Sequence, residues 1–129
     1  MDSKTTISEV KSMVQRFCDE RSHDTAWNER HTPKDVSIGI ITEAAELLEH
    51  FRYKSMEEAE SMLKCPQTRE AITEELADVF YGVLRFSGRF DVDLTIALSD
   101  KLKKNGRKYP VKPCRGQITK QTKNTNCTI

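Results

Sequence analysis

The fold is decided by residues 40–51, which read Ile-Ile-Thr-Glu-Ala-Ala-Glu-Leu-Leu-Glu-His-Phe. Drawn on a helical wheel at about 100° per residue, the apolar side chains of this stretch occupy one arc. They are Ile40, Ile41, Ala44, Ala45, Leu47, Leu48 and Phe51. Glu43 lies at the border of the arc, Glu46 just beyond it and Glu49 further out. The stretch predicts an amphipathic helix that carries acids beside its core-facing side.

A second acidic pair follows further along the chain, again beside an apolar arc. This second arc consists of Ile72, Leu76, Val79, Val83 and Phe86. Glu75 lies inside its edge and Asp78 at its border. Two predicted helices therefore each carry acids at positions i and i+3, Glu43 with Glu46 and Glu75 with Asp78. A carboxylate at the border of a core is costly to bury unless its charge is compensated.

Two interpretations of these acids stay open, ordinary surface carboxylates or ligands of a hard divalent cation. One Glu-x-x-Glu alone favours the first, because Glu is common on helix surfaces. Two such pairs beside apolar arcs favour the second, and Arg85 is the nearest residue that could neutralise them instead. Mg²⁺ takes oxygen ligands and shares its sites with substrate phosphates. A di-iron bundle needs Glu-x-x-His on two helices, a spacing that His50, next to Glu49, does not provide.

Capping signals predict where the other helices begin. Thr6 with Glu9 and Ser55 with Glu58 form capping boxes, and Thr32-Pro33 starts the second helix. The predicted helices span about Ile7–Arg21, Pro33–Tyr53, Met56–Lys64, Gln67–Phe90 and Leu94–Asn105, with Gly106 as the final stop. No segment alternates as a strand does. The fold class is therefore all-α, a bundle of about four main helices within residues 1–110.

Composition and charge limit the class of protein. The 129 residues are 36% hydrophobic and 32% charged, enough for one domain with a thin core. Residues 1–100 hold 12 Lys+Arg and 20 Asp+Glu, a net charge of −8, whereas residues 101–129 hold nine basic residues and no acid. Residues 111–129 are predicted to form a basic, disordered tail. Without a long apolar run, a secretory signal or paired cysteines, we expect a cytoplasmic protein that does not enter a membrane.

Basic and aromatic residues supply further candidates for a binding site. Lys101, Lys104 (or Asn105) and Lys108 can share a helix face, where the cations either complement the helix dipole or bind a phosphate. Nucleic-acid binding is disfavoured, because the body of the chain is acidic and lacks a basic surface interleaved with aromatics. Trp27, in a polar loop, and Tyr53, at the end of the second helix, either cover the core or form a stacking pocket for a base.

Five patterns stand in order along the chain. They are Trp27-x-x-x-His31-x-Pro33, Glu43-Ala44-Ala45-Glu46-Leu47-x-Glu49-x-Phe51-x-Tyr53-Lys54, Glu74-Glu75-Leu76-Ala77-Asp78-Val79, Val92-Asp93-Leu94 and Lys101-x-x-x-Asn105-x-Arg107-Lys108-Tyr109-Pro110. From about Phe17 to Pro110, this order and spacing resemble the all-α nucleoside triphosphate pyrophosphatases, and within them the short MazG-like dCTP pyrophosphatases. The resemblance implies a MazG-like helical bundle, completed by oligomerisation as a homodimer or homotetramer. It also implies Mg²⁺-dependent hydrolysis of a (deoxy)nucleoside triphosphate, with dCTP expected, to the monophosphate and diphosphate.

The resemblance also implies a role for each matching residue. Glu43, Glu46, Glu75 and Asp78 would hold Mg²⁺. Lys101, Asn105, Arg107 and Tyr109 would contact the phosphates or the sugar, in some members from a neighbouring subunit. Trp27, His31 and Tyr53 would line the nucleoside pocket. We expect Glu46 or Glu49 to act as the base. The competing hypothesis is a non-catalytic helical interaction domain whose basic tail anchors nucleic acid.

Overall fold

The structure, a computed structural model, describes residues 1–22 and 32–111, so that Trp27, His31 and the predicted tail after Val111 lie outside the described residues. Within these ranges the chain forms five α-helices and no strand, which confirms the all-α prediction. The helices are α1 (Ile7–Asp19), α2 (Pro33–Glu49), α3 (Met56–Met62), α4 (Pro66–Arg89) and α5 (Leu94–Lys108). The chain divides into two compact units, Met1–Val92 with α1 to α4 and a second that begins at Asp93 and contains α5. No helix of the described ranges is long and apolar enough to cross a membrane.

Local capping explains where the helices start. The hydroxyl of Thr6 accepts a hydrogen bond from the backbone N–H of Glu9, whose carboxylate accepts one from the N–H of Thr6 at 2.6 Å. Ser55 and Glu58 form the same reciprocal pair before α3. Thr32 caps α2 through its side-chain oxygen. These oxygens satisfy N–H groups that the first turn of a helix leaves unpaired.

The predicted end of the second helix at Tyr53 is wrong, because α2 ends at Glu49. The N–H groups of Phe51 and Arg52 both bond to the carbonyl oxygen of Leu48, so that two donors share one of the last carbonyl groups of the helix. Tyr53 then adopts a left-handed conformation with φ of 63°. The apolar pattern continues past the last helical turn. Such a pattern indicates which side chains face the core, but it does not indicate where the helical backbone hydrogen bonds end.

The predicted stop at Gly106 is also wrong, because α5 continues to Lys108. A Cβ at Gly106 would meet no atom within 4 Å, so the glycine occupies an open position on the helix. The helix closes at Tyr109, whose N–H bonds to the carbonyl oxygen of Asn105 at 2.8 Å. Glycine permits the left-handed conformation of a helix end but does not impose it.

The first unit is built around α4, against which both α1 and α2 pack. Among its described residues the buried apolar side chains are few, namely Cys18, Val36, Ile72 and Leu84. The apolar arcs predicted for α2 and α4 are wider than the faces they bury: Ile41, Leu48 and Leu76 are 67%, 61% and 55% exposed. A helix with one main neighbour buries only the side that faces it, so part of a wide arc stays on the surface.

Helices α2 and α4 approach each other closely at Gly82. A Cβ on this glycine would lie 2.6 Å from Cγ1 of Ile40, well inside van der Waals contact. The missing side chain therefore lets the two helices pack at a short distance. Glu43 follows Ile40 by three residues and Asp78 precedes Gly82 by four, so this contact lies one turn from the acids.

Candidate functional site

Three of the acids predicted as metal ligands come together between α2 and α4. Glu43 on α2 and Glu75 and Asp78 on α4 each offer one carboxylate oxygen, and these oxygens all lie within 4.8 Å of one another. Glu43 and Glu75 are half-buried, whereas Asp78 is exposed. A set of carboxylate oxygens at this spacing fits a hard divalent cation, for which such oxygens are the preferred ligands. We refer to these three residues as the acid cluster.

The charges around Glu43 repel one another. Its partial desolvation, followed by the negative charges of Glu46, Asp78 and Glu75, raises the pKa of the Glu43 carboxyl above the ordinary value of 4.5. Within residues 1–22 and 32–111, no basic side chain forms an ion pair with a member of the acid cluster. The chemistry of the site therefore fits a cation as the group that neutralises it.

Glu46 and Glu49 share α2 but differ in their surroundings. Glu46 is exposed and lies outside the acid cluster, yet it is close enough for its charge to raise the pKa of Glu43. Oε1 of Glu49 lies 2.8 Å from Nη1 of Arg52, so this carboxylate already has a partner. Of the two predicted bases, Glu46 is therefore the one that is coupled to the acid cluster.

A cavity of about 290 Å³ opens beside the acid cluster, between α2 and α4. Its lining includes Val36, Gly39 and Glu43 from α2, and Asp78, Tyr81 and Arg85 from α4. The volume lies near the lower end of the roughly 300–1,000 Å³ that is typical of small-molecule sites. The first unit thus holds a space for a small ligand with carboxylates in its wall.

Two residues of this cavity belong to no motif that indicates a site. The hydroxyl of Tyr81 contacts Sγ of Cys18 at 3.4 Å, and burial, with a smaller effect from this thiol, raises the pKa of Tyr81 to about 12. Arg85, considered above as an ion partner of the acids, is 6% exposed and makes no ion pair in the described part of the chain. The sequence offers one signal for these two residues, namely their spacing. Tyr81 and Arg85 follow Asp78 by three and seven residues, which places both on the same face of α4 as Asp78.

Of the other predicted site residues, Tyr53 is the one that the structure describes within the first unit, and it belongs neither to the acid cluster nor to the cavity lining. Tyr53 is 88% exposed, and Cζ of Arg52 lies 4.8 Å from the centre of its ring. The predicted phosphate contacts Lys101, Asn105, Arg107 and Tyr109 belong to the second unit. Trp27 and His31, as stated above, lie outside the described residues. The roles of all seven stay predictions.

Known proteins resemble this chain over most of its length. The sequence profile of the MazG-like family matches residues 38–123. The dCTP pyrophosphatase 1 of Bos taurus is 32% identical over 120 residues, which make up 93% of this chain and 69% of that protein. The dCTP pyrophosphatase 1 of Homo sapiens is 30% identical over 117 residues, or 91% of this chain and 66% of that protein. The chain thus spans about two thirds of the length of these relatives.

Solved structures include a relative with the same arrangement of helices. The crystal structure of a pyrophosphatase from Archaeoglobus fulgidus superposes on this chain with a TM-score of 0.71 and 32% sequence identity. The superposition covers 81% of this chain and 92% of the archaeal one. The two proteins are therefore similar in amino-acid sequence as well as in fold.

Proposed function

The chain belongs to the MazG-like family, and from this premise we propose that it is an Mg²⁺-dependent nucleoside triphosphate pyrophosphohydrolase. The reaction converts a (deoxy)nucleoside triphosphate and water to the monophosphate and diphosphate. The observation that carries the proposal is the acid cluster beside a cavity of small-molecule size. The name of the mammalian relatives supports dCTP as the preferred substrate. The activity belongs in the cytoplasm, where the free thiols of Cys18 and Cys65 stay reduced.

The acid cluster is the part of the chain that would hold the metal, with Glu46 as a fourth ligand. Bound there, Mg²⁺ would shield the charge of the triphosphate while water attacks it. Glu43 projects from α2, and Glu75 and Asp78 from α4, so the packing of two helices fixes their separation. Because the ligands stand on regular helices and not on loops, little rearrangement is needed to receive the ion.

We assign the general base to Glu46 in preference to Glu49. Glu46 lies next to the acid cluster and makes no ion pair in the described ranges, so the carboxylate oxygen that the metal would leave unbound can accept a proton from the attacking water. Glu49 shows no such coupling to the acid cluster, and its Oε1 pairs with Arg52 instead. Glu46→Gln should therefore lower kcat far more than Glu49→Gln. Equal losses in the two variants would contradict the assignment.

Release of diphosphate from a panel of dNTPs and NTPs tests the reaction. We expect dCTP to be hydrolysed fastest, EDTA to abolish turnover and added Mg²⁺ to restore it. Glu75→Gln should abolish turnover, whereas Glu74→Gln, a change of the adjacent exposed acid, should preserve it. This pair separates the loss of a metal ligand from the loss of a surface charge. If no triphosphate releases diphosphate, the interaction-domain hypothesis is favoured instead.

We also propose that a second copy of the chain covers the outer faces of α2 and α4, giving a homodimer or homotetramer. On α2, Ile38, Ile41 and Leu48 are exposed and recur at the spacing of one helix face, opposite to the cavity. On α4, Leu76 and Phe80 are exposed one turn apart. Exposed apolar side chains on two helices, beside so small a core, are typical of a protein that buries them against a partner.

A further inference from the structure

We propose that Arg85 binds the base of the nucleotide substrate, donating hydrogen bonds to an acceptor atom on the base. The proposed place of contact is the end of the cavity that lies away from the acid cluster. The inference rests on the proposed function, because it requires a nucleotide whose phosphates lie at the acid cluster. It adds a residue that none of the sequence patterns assigns to the site.

Arg85 is a buried cation without an ion-pair or hydrogen-bond partner among the described residues. It is 6% exposed, and its Nε is shielded from solvent without any hydrogen-bond acceptor. In the described part of the chain, no carboxylate forms an ion pair with its guanidinium. A buried charge is normally paired, and a buried donor is normally bonded. A buried guanidinium that lacks an acceptor and lines the cavity is suited to receive one from a ligand.

The position of Arg85 separates it from the phosphate end of the cavity. Arg85 and Asp78 both line the cavity. Arg85 follows Asp78 by seven residues on α4, which is roughly 10 Å along a helix that rises about 1.5 Å per residue. Glu43 and Asp78 mark the end at which metal and phosphates would be held. The end that Arg85 shares with Val36 is left for the nucleoside.

The walls near Arg85 suit a flat ring with a polar edge. Val36 is apolar, and a Cβ at Gly39 would meet no atom within 4 Å, so this side of the cavity is open. The hydroxyl of Tyr81 is engaged with Cys18, so that mainly its ring is left to face a ligand. Base and aromatic ring stack favourably. The cavity thus offers apolar surface along its length and one strong donor at its end.

The donor chemistry of Arg85 restricts what it can bind. A guanidinium donates hydrogen bonds and accepts none, so its complement on a base is a carbonyl oxygen or a ring nitrogen. Cytosine presents both side by side, as O2 and N3. Asp35 also lines the cavity; its Oδ2 accepts a hydrogen bond from the Thr32 hydroxyl, which leaves Oδ1 as an acceptor for the amino group that cytosine carries and thymine lacks. Arg85 and Asp35 together therefore favour cytosine over thymine.

The decisive experiment compares two ligands that differ only in the base. Binding of dCMP and of 2-deoxyribose 5-phosphate is measured by isothermal titration calorimetry on the wild type, Arg85→Met, Arg85→Lys and Arg89→Met. Arg85→Met keeps most of the apolar stem and removes the unpaired charge, so its Tm should hold or rise. Arg89, one turn further on α4 and exposed, provides a matched control.

We expect Arg85→Met to weaken dCMP binding by about tenfold or more, the size of one lost charged hydrogen bond. Binding of 2-deoxyribose 5-phosphate should be unchanged, Arg85→Lys should recover part of the affinity, and Arg89→Met should match the wild type. An equal loss for both ligands would place Arg85 at the phosphate or sugar and overturn the proposal. Unchanged dCMP affinity, or no dCMP binding by the wild type, would overturn it as well, and a lowered Tm with both ligands weakened would make Arg85 structural.

These binding measurements do not depend on turnover, so the two proposals can fail separately. If dCMP binds in an Arg85-dependent manner but no triphosphate releases diphosphate, the proposed reaction is wrong and the base site stands. If turnover of dCTP is normal and Arg85→Met leaves dCMP affinity unchanged, the reaction stands and the base site is wrong.

Discussion

Glu43 is the residue at which the charges of the acid cluster oppose one another most clearly. Its carboxyl has a pKa above the ordinary 4.5 because it is partly desolvated and faces Glu46, Asp78 and Glu75. An acid whose pKa is raised by folding stabilises the folded state while it is protonated. That contribution is complete below the unfolded-state value and is lost as the pH rises through the folded-state value.

We predict that Glu43→Gln preserves or raises the Tm of the EDTA-treated protein at about pH 7. The advantage of the variant over the wild type should shrink as the pH falls toward the ordinary carboxyl value of 4.5. Turnover should fall by about 100-fold or more, near 2.7 kcal/mol, because a neutral amide is a poor Mg²⁺ ligand. Thermal unfolding across this pH range, with and without Mg²⁺, is the measurement. A variant that unfolds earlier than the wild type near neutral pH would contradict the prediction.

Tyr53 holds a left-handed backbone, with φ of 63°, although its side chain is 88% exposed. Such a conformation costs a residue with a Cβ about 1–2 kcal/mol. Strain of this kind is often found at functional positions. The predicted role of Tyr53 in the nucleoside pocket stays a prediction, and a glycine at this position tests it.

Tyr53→Gly should therefore raise the free energy of unfolding by about 0.5–1 kcal/mol, and should raise KM for dCTP. Urea unfolding and steady-state kinetics measure the two effects. Asp91, with φ of 51°, provides the control, because Asp91→Gly should gain stability and leave KM unchanged. A less stable Tyr53→Gly protein would mean that the ring packs against another part of the molecule.

At the scale of helices, the contact of Gly82 with Ile40 sets the distance between α2 and α4. Gly82→Ala should destabilise the protein by about 1–3 kcal/mol through overpacking, and should weaken Mg²⁺ binding as the ligands move apart. Gly88→Ala on the same helix is the matched control. Its Cβ would come no closer than 3.9 Å to Gln15, so it should stabilise α4 by about 0.5–1 kcal/mol. Urea unfolding of both variants measures these changes in stability. An unchanged free energy of unfolding in Gly82→Ala would contradict the prediction and show that the side chain of Ile40 moves to make room for the new methyl group.

The helix starts could be predicted because their causes are local. Thr6 and Ser55 each form a capping box with the glutamate three residues later, so a short stretch of sequence contains both partners of the interaction. The ends of the second and the last helix, which were predicted near Tyr53 and Gly106, could not be predicted correctly. Apolar periodicity and the position of a glycine do not determine where helical backbone hydrogen bonding stops.

The site shows the same division between local and tertiary causes. The convergence of acids from two helices follows from their place at the borders of apolar arcs, which packing must bring together. Nothing local distinguishes Arg85 from Arg89, because the burial of the first depends on which helix packs across from it. The same holds for Ile41, whose exposure reflects the side on which α4 lies.

At the scale of the whole molecule, the exposed stripe on α2 leads to a test of assembly. The wild type should elute as a dimer or tetramer in size-exclusion chromatography with light scattering. Ile41→Glu should shift it toward the monomer and lower its Tm, because the apolar face that the partner covers then carries a charge. Thr42→Glu, an exposed neighbour outside the stripe, should leave the assembly intact. A monomeric wild type would contradict the proposed oligomer.

The close fit of Gly82 against Ile40 also has a consequence for the route by which the chain folds. Individual helices form within roughly a microsecond, but α2 and α4 dock only after the chain segment that contains α3 closes between them. Docking to the distance that Gly82 permits forces Glu43 against Glu75 and Asp78. The folding transition state must therefore form against the repulsion between these three carboxylates. A divalent cation that binds them before docking is complete would speed folding as well as slow unfolding.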